Sequence, residues 1–281
     1  DTSVTGVQTC ALPISQIAWE LARASEGRFV LGLGSQVKSH IERRFSQPWS
    51  APAIRMREVI QAIRAIWHSW STGDRLDFSS EHFSFNLMTP NFTPPRLQGN
   101  PPPIHIAAVG PAMLRLAARE CDGVMLHSFC SRHYLTETIL PLIEETLQKA
   151  GKRRSDFEIS GGGFVVTGND EEEISKQFEW VRSRIAFYGS TPAYWPVLEA
   201  SGQTGLGQEL LALSKTQSWD EMTRLIDDDL VYEFAAVGNH NSIAEAVADY
   251  FGGLTDSIAI DPNTSVDALS AIGRIPTGAD Q

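Results

Sequence analysis

Ser35 and Gln36 stand directly after the run Phe29-Val30-Leu31-Gly32-Leu33-Gly34. Both offer hydrogen bonds where an apolar stretch gives way to polar residues, as a buried parallel strand does when its C-terminal end opens on a ligand. Gly32 and Gly34 remove side chains where backbone must lie close to a bound group. A dinucleotide fingerprint needs a third glycine three positions further on, and position 37 is Val. The segment therefore suits a phosphate or cofactor of another kind. His40 and Glu42 follow in the next loop, where an imidazole beside a carboxylate could shuttle protons.

A second candidate is Ala107-Ala108-Val109-Gly110, small residues at the end of the run 104–108. A helix beginning near Ala112 would point its amide-rich end at the same place, which favours a flat ring or an anion. His127 closes another apolar run, and a histidine there is either a hydrogen-bonded structural residue or a catalytic one. Gly161-Gly162-Gly163 falls inside a strand-like stretch. It marks either a close ligand or a bulge at a bend. No His, Glu or Cys cluster has metal-ligand spacing, so no metal is expected, and no GxSxG is present.

The elements that must position these groups alternate. Periodicity predicts a helix over 16–25 with Ile17, Leu21 and Ala24 at helical spacing, then a strand over 28–33. Residues 54–70 read as an amphipathic helix bearing Ile54, Val59, Ile60, Ile63, Ile66, Trp67 and Trp70, with Pro52 suited to its first turn. The proline-rich stretch 71–103 reads as a long excursion of the kind that often forms a lid. Strands are expected at 104–108, 124–127, 157–167 and 256–261, and helices over 112–120 and 134–150, the latter ended by Gly151. Asn169, Asp170 and three glutamates open a further helix, and the chain reads as largely helical from there to about 250. Strands separated by helical crossovers of this size pair in parallel, and five are legible.

Composition narrows the class. The 281 residues are 42% hydrophobic and 20% charged, as in soluble globular proteins. A net charge of −11 argues against nucleic acid as a partner, and Lys152-Arg153-Arg154 reads as a solvated turn. Three cysteines without CxxC spacing suggest a reducing compartment. No apolar run approaches the roughly 20 residues of a membrane span, and residues 1–15 do not read as a signal peptide. A cytoplasmic protein that binds neither membrane nor nucleic acid is expected.

Three ordered motifs, GRFVLGLGSQVKSHIERRF, PPPIHIAAVGPAMLRLAARECDGVMLH and FEISGGGFVVTG, together resemble the bacterial luciferase-like monooxygenase superfamily. Within it, the chain is most similar to the branch that uses the deazaflavin coenzyme F420. The likeness runs from about residue 16 to 262 and implies a TIM-type (β/α)8 barrel with cofactor at the C-terminal strand ends. Five of eight strands are legible, so the resemblance implies an N-terminally truncated barrel. On that reading residues 1–15 are a foreign leader (or, over residues 6–12, an imperfect strand). Residues 16–270 then form the barrel, with a helical insertion at about 170–250, and 271–281 form a tail.

The resemblance further implies that Gly34, Ser35 and Gln36 touch the isoalloxazine edge or phosphate. Ala107, Ala108, Val109 and Gly110 would receive the phosphate-bearing side chain, and Arg57, with Arg55 as its competitor, would reach that phosphate. His40, Glu42 and His127 are the catalytic candidates. Relatives often place a carboxylate just after the glycine pair, where this chain has Gln36 and Val37. The aromatic stripe Trp180, Ile185, Phe187, Tyr188, Tyr194 and Trp195 reads as core or lid packing, although the segment 189–194 is similar to one in the deazaflavin branch. The implied function is hydride transfer between F420 and a small organic substrate. Alternatives are an FMN-dependent monooxygenase and a truncated remnant or binding protein. A homodimer is left open.

Overall fold

A computed structural model describes residues 11–260 and 264–273. The chain falls into two compact units: residues up to Ala107 with Glu120–Gly123, and Ala108–Arg119 with residues from Val124 on.

The first unit contains α1 (Ala11–Ala24), β1 (Leu31–Leu33), α2 (Lys38–Arg43), α3 (Pro52–Thr72), a hairpin of β2 (Phe78–Ser79) and β3 (Ser84–Phe85), and most of β4 (Ile104–Ala108). β1 runs parallel to β4, with Leu31, Gly32 and Leu33 opposite Ile104, His105 and Ile106. α3 begins at Pro52 and buries Ile60, Ile63, Ile66, Trp67 and Trp70, as the periodicity requires, while Ile54 stays exposed. α1 starts at Ala11, so Ala11 and Leu12 are helical rather than part of a strand. The rest of that proposed strand lies outside the described residues. The buried stripe of α1 is Ala11, Ser15, Ala18, Trp19 and Ala22; Ile17 and Leu21 are 56% and 44% exposed. Small residues win that face because α1 lies close against α3, where Trp19 meets Trp70 edge-on at 5.3 Å.

Three indoles need acceptors when buried, and two of them draw on the proline-rich excursion. Trp19 Nε1 donates to the Pro95 carbonyl (2.9 Å) and Trp70 Nε1 to the Met88 sulfur (3.3 Å), while Trp67 Nε1 donates to Ser15 O (3.1 Å). Arg96 also donates to Thr72 O at 2.9 Å. The excursion is therefore tied to the core at several points, which does not suit the lid expected for it.

Glu58 ties down the hairpin. Its Oε2 accepts from Ser80 Oγ (2.8 Å), the His82 backbone N–H (2.9 Å) and His82 Nδ1 (2.9 Å). Burial pushes this carboxyl up, but those hydrogen bonds and the His82 ring outweigh it and hold it below the ordinary 4.5. A depressed carboxyl stabilises the fold above its unfolded value, and that contribution is lost as pH falls through the lower folded value. Glu58→Gln is expected to cost about 1–2 kcal/mol at pH 7, the worth of charge-assisted hydrogen bonds. Urea melts should show the difference between wild type and variant shrinking once the pH falls below 4.5.

The second unit begins with α4 (Pro111–Glu120) and continues through β5 (Gly123–Leu126), each in the main part of its length. A turn of helix, α5 (Arg132–Tyr134), passes through a π segment (Leu135–Ile139) into α6 (Leu140–Lys149). α6 ends as expected of Gly151, which takes φ +68° while Lys152 N–H and Gly151 N–H bond back to Leu147 O and Gln148 O. Next come β6 (Glu158–Gly161), a neighbour of β5, and β7 (Phe164–Gly168). α7 (Glu171–Gly189) is capped by Asp170 Oδ1, which accepts from Glu173 N–H at 2.9 Å. α8 (Trp195–Ala200), α9 (Leu206–Lys215), α10 (Trp219–Arg224) and α11 (Asp228–Phe234) lead to β8 (Ala235–Asn239), α12 (Ile243–Phe251) and α13 (Val266–Ile272). β7 and β8 are parallel, from Phe164 opposite Ala235 to Gly168 opposite Asn239.

Three expectations change here. The stretch 157–167 is two strands, broken where Gly161 and Gly162 adopt φ of +84° and +98°. The helical stretch to 250 is interrupted by β8, so the strands legible in sequence undercount those formed. The strand expected at 256–261 is reduced to one bridge, Ser257 to Ser160, beside the Asp256 N–H bond to Ile159 O; Asp261 lies outside the described residues, as do residues 274–281. The basic triplet is also engaged rather than merely solvated: Lys152 Nζ donates to Ala118 O, Arg153 pairs with Asp156, and Arg154 pairs with the largely buried Asp256 at 2.9 Å. Among the described residues, no helix is long and apolar enough to cross a membrane.

Candidate functional site

In the first unit, β1 delivers Gly34 against Ala107, where a Cβ on the glycine would stand 3.6 Å from the Ala107 Cβ. The two strand tips thus end side by side with nothing but small groups between them. Gln36 sits in the left-handed region, φ +57°, a conformation that costs a non-glycine residue about 1 kcal/mol. Its Oε1 lies 3.2 Å from His40 Nδ1, and Ser35 Oγ donates weakly to Gln36 O at 3.4 Å.

His40 and Glu42 lie on the short helix α2, not in a loop. Two positions apart on a helix they do not face each other. Glu42 instead approaches Lys38 at 3.8 Å and His40 turns back to Gln36. The proton-shuttling pair read from the sequence is therefore not formed. Arg57 is exposed in the first turns of α3 and makes no ion pair among the described residues.

The second unit holds a tight hollow without room for a water molecule, walled by Ala108, Val109, His127, Phe129, Cys130 and Tyr134, with Leu126 and Ile139 closing it. Ala108 and Val109 reach it because β4 gives way there to α4. α4 opens on Pro111, which has no N–H, and Met113 and Leu114 N–H both donate to Gly110 O at 3.1 Å, so Ala112 N–H is what its first turn can offer a ligand; Gly110 faces open space, since a Cβ there would meet nothing within 4 Å.

His127 follows directly on β5. Its Nδ1 accepts the Phe129 backbone N–H at 2.9 Å, so the one proton of the neutral ring belongs on Nε2. Burial lowers its pKa below the ordinary 6.5, which keeps the ring neutral at pH 7. Tyr188 meets it edge-on at 4.6 Å, and Tyr194 lies 5.2 Å away. Burial, with Tyr188 close by, raises the Tyr194 phenol, and burial pushes the Cys130 thiol up to about 12. No charged side chain lines the hollow.

Tyr188 and Tyr194, assigned in sequence to packing, are the aromatic frame of His127. The signal that could have found them was the segment 189–194, which carries Tyr194 at its end. Tyr134 was not singled out, because nothing local distinguishes it from a core tyrosine. In the first unit, Glu58, Glu81 and His82 bring ligand-type atoms within 4.8 Å, a grouping invisible to local spacing because Glu58 lies 24 residues from His82. Glu58 Oε2 is already taken by three hairpin donors, so the group reads as a structural tie.

A family model described as luciferase-like monooxygenase matches residues 12–257. An uncharacterized protein of Mycobacterium tuberculosis is 43% identical over 245 residues, 87% of this chain and 72% of that protein. The 5,10-methylenetetrahydromethanopterin reductase of Archaeoglobus fulgidus is 29% identical over 246 residues, covering 85% of this chain and 69% of its own. Among solved structures, the coenzyme F420-dependent tetrahydromethanopterin reductase from Methanopyrus kandleri superposes with a TM-score of 0.71 at 20% identity, over 95% of this chain and 78% of that one. The oxygenating constituent of 3,6-diketocamphane monooxygenase from Pseudomonas putida, in complex with FMN, gives 0.63 at 16% identity, over 95% and 76%.

Proposed function

Since the chain belongs to the luciferase-like monooxygenase family and has its TIM-barrel fold, with strands that do not join into one closed sheet among the described residues, we propose that it is an oxidoreductase that uses coenzyme F420 on a small organic substrate. The observation that carries this reading is the grouping in the second unit of the exposed backbone at Gly110, the start of α4 and a neutral imidazole around one tight hollow. The residues fit a flat, phosphate-tailed group. The open side of Gly110 and the Ala112 N–H at the start of α4 suit a phosphate without requiring a cation, and Ala108 and Val109 beside them present only small apolar groups. In the first unit, Gly34, Ser35, Gln36 and Ala107 offer the same kind of surface: small side chains, backbone and an amide.

When bound, F420 supplies or accepts a hydride, two electrons and a proton moving as one unit. The protein's part is to hold the substrate and to meet the charge that develops on it. His127 cannot serve as a strong acid while neutral, and its Nδ1 is already engaged by Phe129 N–H. It therefore acts as a hydrogen-bond donor through Nε2, as neutral imidazoles do when they polarise a carbonyl. His40 and Glu42, held apart on α2, take no part in this proposal.

Equilibrium titration of the purified protein with F420 and with FMN separates the two cofactor classes found in the family. F420 is expected to bind at least about tenfold more tightly, a difference of about 1.4 kcal/mol. Tighter binding of FMN, or a yellow protein as isolated from a flavin-rich host, would overturn the choice of coenzyme.

A further inference from the structure

Four non-glycine residues take a left-handed backbone among the described residues: Glu26, Gln36, Ser46 and Gln217. Three of them lie just past a helix, where such a turn sends an N–H back to carbonyls that the helix leaves open. Gly27 N–H donates to Ala22 O after α1, Gln47 N–H to Ile41 O after α2, and Ser218 N–H to Leu213 O after α9. Gln36 is the exception. It stands at a strand tip, between β1 and α2, and neither its own N–H nor that of Val37 returns to a backbone carbonyl among the described residues. Glycine adopts φ +57° freely, so this position keeps a strained backbone for the sake of a side chain. Strain of that kind collects at ligand-binding sites.

The side chain is exposed and held at one end only. Its Oε1 lies 3.2 Å from His40 Nδ1, in the helix that follows. The ring N–H donates to the amide oxygen, and the Nε2 amino group, a double donor, faces away from the histidine with no partner among the described residues. The neighbouring tips of β1 and β4 carry nothing larger than the methyl group of Ala107 beside Gly34.

We propose that Gln36 contacts the coenzyme, its amide N–H donating to a carbonyl oxygen on the edge of the flat ring, and that His40 is the positioning residue that sets which way the amide faces. The inference deepens the reading of these strand tips as coenzyme-facing and rests on it. A neutral donor matches a neutral acceptor, whereas a phosphate is better served by charged donors or a helix start. Small side chains at the two tips let a ring lie close while its rim reaches the amide. Deazaflavin and flavin rings both carry carbonyl oxygens on a pyrimidine-type edge, so Gln36 reads what the two coenzymes share. His40 thus has a part in place of the proton shuttle that its position on α2 rules out.

The test measures stability and coenzyme affinity on the same variants of the full chain. Gln36→Gly is expected to melt about 1–3 °C higher, because the strain relieved exceeds the freedom that glycine adds to the unfolded chain. It should also bind F420 and FMN each about fivefold to tenfold more weakly, the worth of one hydrogen bond. A merely structural residue would not move the two readouts in opposite senses. Gln36→Glu keeps the oxygen that His40 holds but removes the N–H donors, and should lose at least as much affinity. His40→Ala should weaken binding about twofold to threefold in the wild-type background and leave Gln36→Gly unchanged, since it acts only through the amide. The proposal is overturned by a Gln36→Gly that melts no higher than wild type, by a Gln36→Glu that binds as well as wild type, or by a His40→Ala effect that persists in Gln36→Gly. F420 binding indifferent to these substitutions would remove this inference and leave the coenzyme reading intact. Binding of FMN alone, with the same dependence on Gln36, would sink the choice of F420 and leave the inference standing. A wild type that binds neither coenzyme overturns both.

Discussion

Gly161→Ala is expected to lower the unfolding temperature by about 5–15 °C, the shift that about 2–5 kcal/mol produces in a chain of this size. Two costs add. At φ +84° an alanine pays about 1–2 kcal/mol of backbone strain. Its Cβ would also stand 2.6 Å from the Leu126 carbonyl oxygen, a backbone atom that cannot swing aside as a side chain would. Overpacking against fixed neighbours costs about 1–3 kcal/mol. Thermal unfolding followed by far-ultraviolet dichroism measures the sum, with Gly151→Ala as the control. Gly151 also has positive φ, but a Cβ there meets nothing within 4 Å, so it pays only the strain. Equal losses in the two variants would show that the contact with Leu126 contributes nothing.

The same geometry decides a question that the sequence leaves open. Three successive glycines in a strand signal either a ligand lying close or a bend. Gly161 is pressed on Leu126 backbone, Gly162 on Leu126 and Leu135 side chains, and Gly163 on the ring of Tyr250, 2.7 Å from where a Cβ would be. The space that the missing side chains vacate is filled by the protein itself. Composition could report that something packs there, but its identity lies 35 residues upstream in one case and 87 downstream in another.

Elsewhere, legibility follows how local the cause is. The N-cap of α7, the glycine end of α6 and the buried face of α3 depend on residues within a turn or two of each other, and all could be read directly. β8 could not. Ala235-Ala236-Val237-Gly238-Asn239 is poor in β-branched residues and follows α11 with no intervening loop. It is a strand because β7 pairs with it along its whole length. α1 fails for a related reason: the larger apolar residues define a periodic stripe, yet the face chosen is the one with alanines that lets α3 approach. His40 and Glu42 look like partners because they are near in sequence, and the helical period separates them.

The hollow around His127 shows the same division. That a histidine ends a strand is visible in the chain; that Tyr188 and Tyr194 enclose it and that Phe129 N–H fixes its tautomer is not. These contacts carry a consequence for pH. An ordinary imidazole takes up a proton near 6.5 in the unfolded chain, whereas burial holds the folded His127 lower. Between those two values the unfolded state binds more protons, so stability falls as the pH drops below 6.5. His127→Phe is expected to remove that acid-sensitive component while keeping a ring between the two tyrosines, and urea melts between pH 7 and pH 5 measure it directly.

In turnover, oxidation of reduced F420 by substrate should fall about 10²-fold in His127→Phe, the usual cost of losing one preorganised donor to developing negative charge. His127→Gln places an amide N–H near the lost Nε2–H and should recover much of that loss. F420 affinity should change less than about threefold in both, under about 0.7 kcal/mol, because the phosphate is assigned to the start of α4 and not to the imidazole. A His127→Phe enzyme that turns over at the wild-type rate would reduce His127 to a packing residue. One that loses F420 affinity in parallel with turnover would move it from the substrate to the coenzyme.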